Sequence, residues 1–392
     1  MLNANIKITK LQWFFTTAGL LLYMVDICTD VALALKYYNQ ENFIWMGLTL
    51  VFVLAGLILT QIFSYAWYRE DIQDHQVNPG MSKSALAIVH IFGMGIITRH
   101  YHLLKEGFAE IWMTTPKERK NLSELAATLT ILKMFETFLE SVPQLLLQLY
   151  ITLCHDEISV MQCLSMTFSF FNTAWVLVDY WRCLHKSSLH NKEMPSVLHT
   201  LVYLLYKLCT VTSHIFSCCL LLILSSYSSV GLAVLWLLGI TWMHILDTNL
   251  CSSKRLEWLY RAVGGLILVV TFFNASGQNS KQQKQNSKVA VIIYYSFYTV
   301  LNIAAPILLS WLKPLEMVQF LFPVCGIIFG GTLLGVVFLT VYYVLLDPTG
   351  ESCEVDEVDV LGKEAKNTLG INCILQEKDA EATLRIKRFL QP

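Results

Sequence analysis

Charge is what this sequence has least of: 15% of its 392 residues are Asp, Glu, Lys or Arg, against about a quarter in a soluble domain. A soluble chain of this length would need far more charge on its surface. Neither sign predominates, with 28 basic and 29 acidic residues, and there is no basic arm, so nucleic acid is not an expected partner. The 11 cysteines are scattered, no CxxC occurs, and no histidine pair stands beside them at zinc spacing. No metal site is therefore expected, and most of these thiols read as small packing groups. GxxxxGK[ST], GxSxG and HExxH are also missing. With no visible nucleotide site and no hydrolytic centre, the chain is expected to be no enzyme and to need no cofactor.

What the chain has instead is apolar length. It is 55% hydrophobic with a mean hydropathy of +0.52. Several runs exceed the roughly 18 residues that mark a membrane helix. The expected fold class is an all-α polytopic membrane protein. No small-residue cleavage site follows the first apolar run, which reads as a retained helix. Ten segments stand out, at about 11–36, 43–68, 85–104, 122–154, 160–180, 198–224, 230–246, 256–274, 289–312 and 320–346. Trp45 opens the second near an interface and is a candidate gate, while Tyr65, Trp67 and Tyr68 close it as an aromatic belt.

Basic residues decide how many segments cross. They cluster at Lys7/Lys10, Lys105/Lys117/Arg119/Lys120, Arg182/Lys186/Lys192, Lys254/Arg255 and Lys281/Lys284/Lys288. If 85–104 and 256–274 enter and return on one side, every cluster is cytosolic, as the positive-inside rule favours. That gives eight spans plus two half-inserted helices, with both termini in the cytosol. It also gives a repeat. An N-terminal membrane unit (1–183) and a C-terminal one (184–346) each hold four spans and one half-inserted helix, as parallel pseudo-repeats. Gly326/Gly330 and Gly331/Gly335 have the spacing of close helix packing.

Within this apolar chain, the stretch Leu132 to Tyr150 carries Lys133, Glu136 and Glu140 at helical spacing, so a cation and two carboxylates share one stripe. An ionisable group at the bilayer centre costs about 2.5–3.5 kcal/mol on insertion scales. A buried Lys–Glu pair that only fixes helix register is the plainer reading. Matching groups elsewhere weigh against it: Asp26 and Asp30 one turn apart on the first segment, Asp179 and Arg182 at the end of the 160–180 segment. Such residues face a bundle interior or hydrated cavity and mark a path for something polar.

The composition turns polar and acidic from Asp347 onward. This tail (347–392) contains Asp356-Glu357-Val358-Asp359-Val360, in which Asp-Glu-Val-Asp is the tetrapeptide cut by executioner caspases after its last Asp. Residues 380–390 can form a short amphipathic helix with Leu384, Ile386 and Phe389 on its apolar side.

The stretch Phe135-Glu136-Thr137-Phe138-Leu139-Glu140-Ser141-Val142-Pro143-Gln144-Leu145 resembles the XK-related membrane proteins. So do Glu257-Trp258-Leu259-Tyr260-Arg261 and Phe272-Phe273-Asn274, and the resemblance runs through nearly all of the membrane part. The tail site resembles that family's caspase-activated branch, whose members scramble phospholipids at the plasma membrane of dying cells. The resemblance implies phosphatidylserine exposure as the outcome, an executioner caspase as activator and the tail as an inhibitory element. Some members also need a single-span immunoglobulin-type membrane partner. Two other classes stay open: a transporter or channel using the carboxylates as an ion relay, and a scaffold for another membrane protein.

Overall fold

In the computed structural model, residues 10–73, 82–112, 122–154, 159–188, 197–225, 227–245, 251, 253–271, 281–313 and 320–342 are described. Among them the chain forms twelve helices and no strand. Hydrocarbon offers backbone groups no hydrogen bonds, so a spanning chain satisfies them within its own helices. The first half comprises α1 (Lys10–Asn39), α2 (Phe43–Gln73), α3 (Lys83–Ile91), α4 (Gly95–Trp112), α5 (Leu122–Leu139), α6 (Ser141–Cys154) and α7 (Val160–Ser188). The second comprises α8 (Val197–Leu224), α9 (Ser228–Ile245), α10 (Lys254–Val270), α11 (Lys281–Leu312) and α12 (Leu321–Val341).

Among the described residues seven helices, α1, α2, α7, α8, α9, α11 and α12, are long and apolar enough to cross a membrane. They coincide with seven of the expected spans. The segment 122–154 is different. Instead of one continuous helix, it is two helices that part at Glu140. The reason is local: Pro143 has no N–H to give the Leu139 carbonyl, and its ring collides with that carbonyl. The helical ladder resumes beyond it, with the Gln144 amide bonded to the Glu140 carbonyl at 3.1 Å.

Polarity is arranged inside out. Leu21, Val51, Ile58, Val300 and Val337 are exposed on the outside, while Asp30, Arg99, Gln144, Gln148 and Ser169 are fully buried. The helix α5 is the hub. It packs against α2, α4, α6, α7 and α10, and every residue from 126 to 138 is buried. Its Leu132, Phe135 and Phe138 join Phe63 and Trp67 of α2 and Tyr260 of α10 in the main apolar cluster. In lipid this packing, more than hydrophobic transfer, holds helices together.

The expected half-inserted segment 85–104 is also divided, into α3 and α4, at Gly93 with φ +75°. Gln61 of α2 clamps that turn, its amide donating to the Gly93 carbonyl and accepting from the Gly95 N–H, both at 3.0 Å. Arg99 is fully buried. Its guanidinium lies 4.2 Å from the Tyr68 ring centre and donates to the Ser64 hydroxyl and carbonyl. The other segment, 256–274, forms α10 and lies against α9 at very close range. A Cβ on Gly239 would stand 2.8 Å from the Gly265 carbonyl oxygen. The glycine spacing on α12 is half right. Gly331 and Gly335 press on Cys209, Thr210 and Ser213 of α8, whereas Gly326 and Gly330 have nothing within 4 Å.

Candidate functional site

Three helices of the first half, α1, the broken α5–α6 pair and α7, carry polar residues at spacings of three, four or seven positions. On α1 these are Thr16, Tyr23, Asp26, Asp30 and Tyr37. On α5–α6 they are Lys133, Glu136, Glu140, Gln144 and Gln148. On α7 they are Gln162, Ser165, Ser169, Asn172, Asp179 and Arg182. That spacing puts each set on one helix face, and the three faces meet in one buried seam.

The seam can be followed link by link. At one end a cavity lies between Phe15 and Thr16, Thr130 and Lys133, and Asp179 and Arg182. One turn further, Gly19 makes room for Lys133: an added Cβ would lie 3.2 Å from Trp175 Nε1 and 3.5 Å from Asp179 Oδ2, and press on Lys133 Nζ. Tyr23 then meets the Glu136 carboxyl. In the middle, Asp26 accepts from the Ser141 and Ser169 hydroxyls at 2.6 Å each and from the Asn172 amide at 2.9 Å. Asp30 accepts from the Ser165 hydroxyl at 3.2 Å, and Ser165 in turn accepts from the Gln148 amide at 3.0 Å. At the far end Gln162 donates to the Tyr37 hydroxyl at 3.1 Å and accepts from Lys36 Nζ at 3.0 Å. Glu140 stands on the α2 side, in space left by Gly56, where a Cβ would come 2.9 Å from its Oε2.

From Thr16 to Tyr37, or from Arg182 back to Gln162, the seam runs about 30 Å at 1.5 Å per residue. The hydrocarbon core of a bilayer is about as thick. Along that length several buried atoms have no hydrogen-bond partner in the protein: Asp30 Oδ2, Glu136 Oε1, Gln148 Oε1 and both polar atoms of Gln144. A buried polar group left unpaired costs about 1–3 kcal/mol. The seam therefore presents hydrogen-bonding capacity that the protein itself does not use. Among the described residues no group of three or more His, Cys, Asp or Glu has metal-binding geometry.

Asp26, Asp30, Lys133, Glu136, Glu140, Asp179 and Arg182 all fall on this seam. The reading from sequence missed the residues that connect them. Ser141, Gln144, Gln148, Gln162, Ser165, Ser169 and Asn172 are neutral, and neutral polar residues are common in membrane helices. The signal that would have found them is the period itself, which runs 136, 140, 144, 148 on one strand of the seam and 162, 165, 169, 172 on another. Trp45 lies beyond the far end, edge-on to Tyr37 with ring centres 5.8 Å apart. Among the described residues the polar links of the second half are short, such as His214 with Asn302 and the Val269 carbonyl, Arg261 with Glu257, and Lys207 against the Tyr203 and Tyr206 rings. Residues 356–360 and the tail positions Leu384, Ile386 and Phe389 lie outside the described residues.

A family model described as XK-related protein matches residues 14–348. Among curated proteins, XK-related protein 9 of Tetraodon nigroviridis is 46% identical over 369 residues, covering 91% of this chain and 95% of that one. XK-related protein 8 of the same fish is 28% identical over 86% of this chain and 84% of its own. XK-related protein 8 of Pan troglodytes is 28% identical over 87% of this chain and 85% of its own.

Proposed function

The chain belongs to the XK-related family, and from that premise we propose that it is a phospholipid scramblase of the plasma membrane, switched on by caspase cleavage in dying cells. The observation that carries this reading is a polar seam as long as the bilayer core is thick, set in a bundle whose exterior is apolar. A lipid head group meets the same desolvation barrier as a charged side chain. Fixed dipoles and charges lining a path lower that barrier by standing in for water, while acyl chains stay in the surrounding lipid. No energy source is needed, and phosphatidylserine moves down its gradient to the outer leaflet.

The broken α5–α6 pair contributes the eighth crossing in this proposal. The α3–α4 and α10 segments are half-inserted, both termini are cytosolic, and the units 1–183 and 184–346 are pseudo-repeats. The tail is the brake. The 380–390 helix docks on the cytosolic face through Leu384, Ile386 and Phe389, held by its tether at an effective concentration on the order of millimolar. A cut after Asp359 makes that contact bimolecular, and the closed state loses the differential binding a two-state switch requires. A single-span immunoglobulin-type subunit is a proposed partner for delivery or stability.

The test is reconstitution into liposomes with labelled phosphatidylserine, assayed beside ion flux before and after executioner caspase treatment. Cleaved protein is expected to scramble faster than intact protein, without matching ion flux, and Asp359→Ala is expected to remove the effect of the protease. Lipid movement absent from both intact and cleaved protein overturns the reading. Ion flux alone would establish the channel class in its place.

A further inference from the structure

Resting on the scramblase reading, we propose that the cavity at the α1-start end of the seam recognises a phosphate oxyanion, with Arg182 and Lys133 as its cations. The phosphodiester of a head group docks there, and the ammonium of the same head group points along the seam toward Glu136.

Arg182 carries the argument. It is 4% exposed, yet its Nε and Nη2 have no hydrogen-bond partner in the protein. Its guanidinium lies 3.9 Å from the centre of the Phe15 ring, a cation–π contact that leaves Nε and Nη2 without a protein acceptor. That planar fork matches two oxygens of a phosphate. Asp179, one turn back on α7, lines the same cavity but does not satisfy those nitrogens, so a simple Arg–Asp pair does not account for the site. Lys133, also 4% exposed, brings its Nζ beside Gly19 near Asp179. Two cations against one carboxylate leave one positive charge, which the single negative charge of a phosphodiester balances. The Thr16 and Thr130 side chains also line the cavity, the Thr130 hydroxyl donating to the Ala126 carbonyl.

The next acceptor along the seam sets the orientation. Asp26 is already engaged by three donors, whereas Glu136 Oε1 has none. Glu136 stands three residues beyond Lys133, a rise of about 4.5 Å. The two-carbon link between phosphate and ammonium in ethanolamine, serine and choline head groups spans a comparable length. Phosphate at Arg182 and Lys133 with ammonium at Glu136 therefore fits a zwitterionic head group entering end-on.

Cys183 lines the cavity and allows the site to be read in the unaltered chain. Full-length protein in maltoside detergent, which has no phosphate, is treated with a small maleimide, and labelling of each cysteine is followed by peptide mass spectrometry. Inorganic phosphate is expected to slow labelling of Cys183 and not of Cys325. Added phosphatidylserine or phosphatidylethanolamine is expected to act at lower concentration, and a phosphate-free glycolipid to have no effect. Arg182→Lys, which keeps the charge and loses the fork, should weaken protection by about tenfold, the scale of one lost charged hydrogen bond. Glu136→Gln should weaken protection by the lipids but not by inorganic phosphate. No protection of Cys183 by either phosphate or lipid overturns the site. Protection by free phosphate alone overturns its assignment to head groups. The same preparations are assayed for scrambling: scrambling without protection overturns the site and leaves the function, and protection without scrambling does the reverse.

Discussion

Asp26 and Asp30 sit one turn apart on α1, yet their surroundings assign them different tasks. Asp26 is held by three side-chain donors from α6 and α7, so it ties three helices together. Asp30 has the Ser165 hydroxyl on one oxygen, and on the other the Gln144 side chain stands beside it without a hydrogen bond of ordinary geometry. Hydrogen bonds to a charged group are worth about 1.5–3 kcal/mol each. Asp26→Asn turns one acceptor into a donor amid donors and should cost about 2–4 kcal/mol, seen as a lowered unfolding temperature in nanodiscs. Asp30→Asn should unfold close to the parent temperature and lose most of its scrambling. Equal losses of stability in the two variants would make both residues structural.

Helices here are set by single residues that break or close them. Pro143 acts through the carbonyl four residues earlier, so α5 and α6 part at Glu140, in the middle of the charged seam. Discontinuous helices are common at the polar sites of membrane proteins, because a break exposes backbone polar groups where a path needs them. Between α1 and α2 the chain closes with Glu41 at φ 60°, the Asn42 N–H reaching back to the Tyr37 carbonyl and the Glu41 N–H to that of Tyr38. That left-handed position disfavours a side chain. Glu41→Gly is expected to raise the unfolding temperature modestly, a gain of up to about 1 kcal/mol. The α9–α10 contact makes the opposite demand. Gly239→Ala would drive a Cβ into the Gly265 backbone and should cost about 1–3 kcal/mol. Gly326→Ala, with nothing within 4 Å, should be silent in the same melt.

At the scale of the molecule, the seam occupies one half of the bundle and the apolar exterior surrounds both. The proposed topology is checked by single-cysteine labelling: positions Lys117 and Lys281 reachable only from the cytosol, His155 and Ser226 only from outside. External labelling at Lys117 would restore ten full crossings and remove the pseudo-repeat. A chain ending at Asp359 should scramble without any protease, since it lacks the tail that the whole molecule uses as its brake. Equal rates for the truncated and full-length proteins would mean that the brake lies elsewhere.

By itself the sequence determined the solvent and the main charged residues. Apolar length identifies a membrane chain, because a helix must cover about 30 Å of hydrocarbon and few residues can face it. Charges are so costly there that Asp26, Asp30, Lys133, Glu136, Glu140, Asp179 and Arg182 stand out individually, and a period of three to four residues places them on helix faces. Only the tertiary structure decided which faces meet. It joined the charges through Ser141, Ser165, Ser169, Asn172 and Gln148, whose low cost in a helix gives them no prominence in a sequence. It also split the 122–154 segment at Glu140 and buried Arg99 against Tyr68. In each case the deciding interaction lies between residues distant in the chain or across a turn of backbone, and residue type alone carries no record of it.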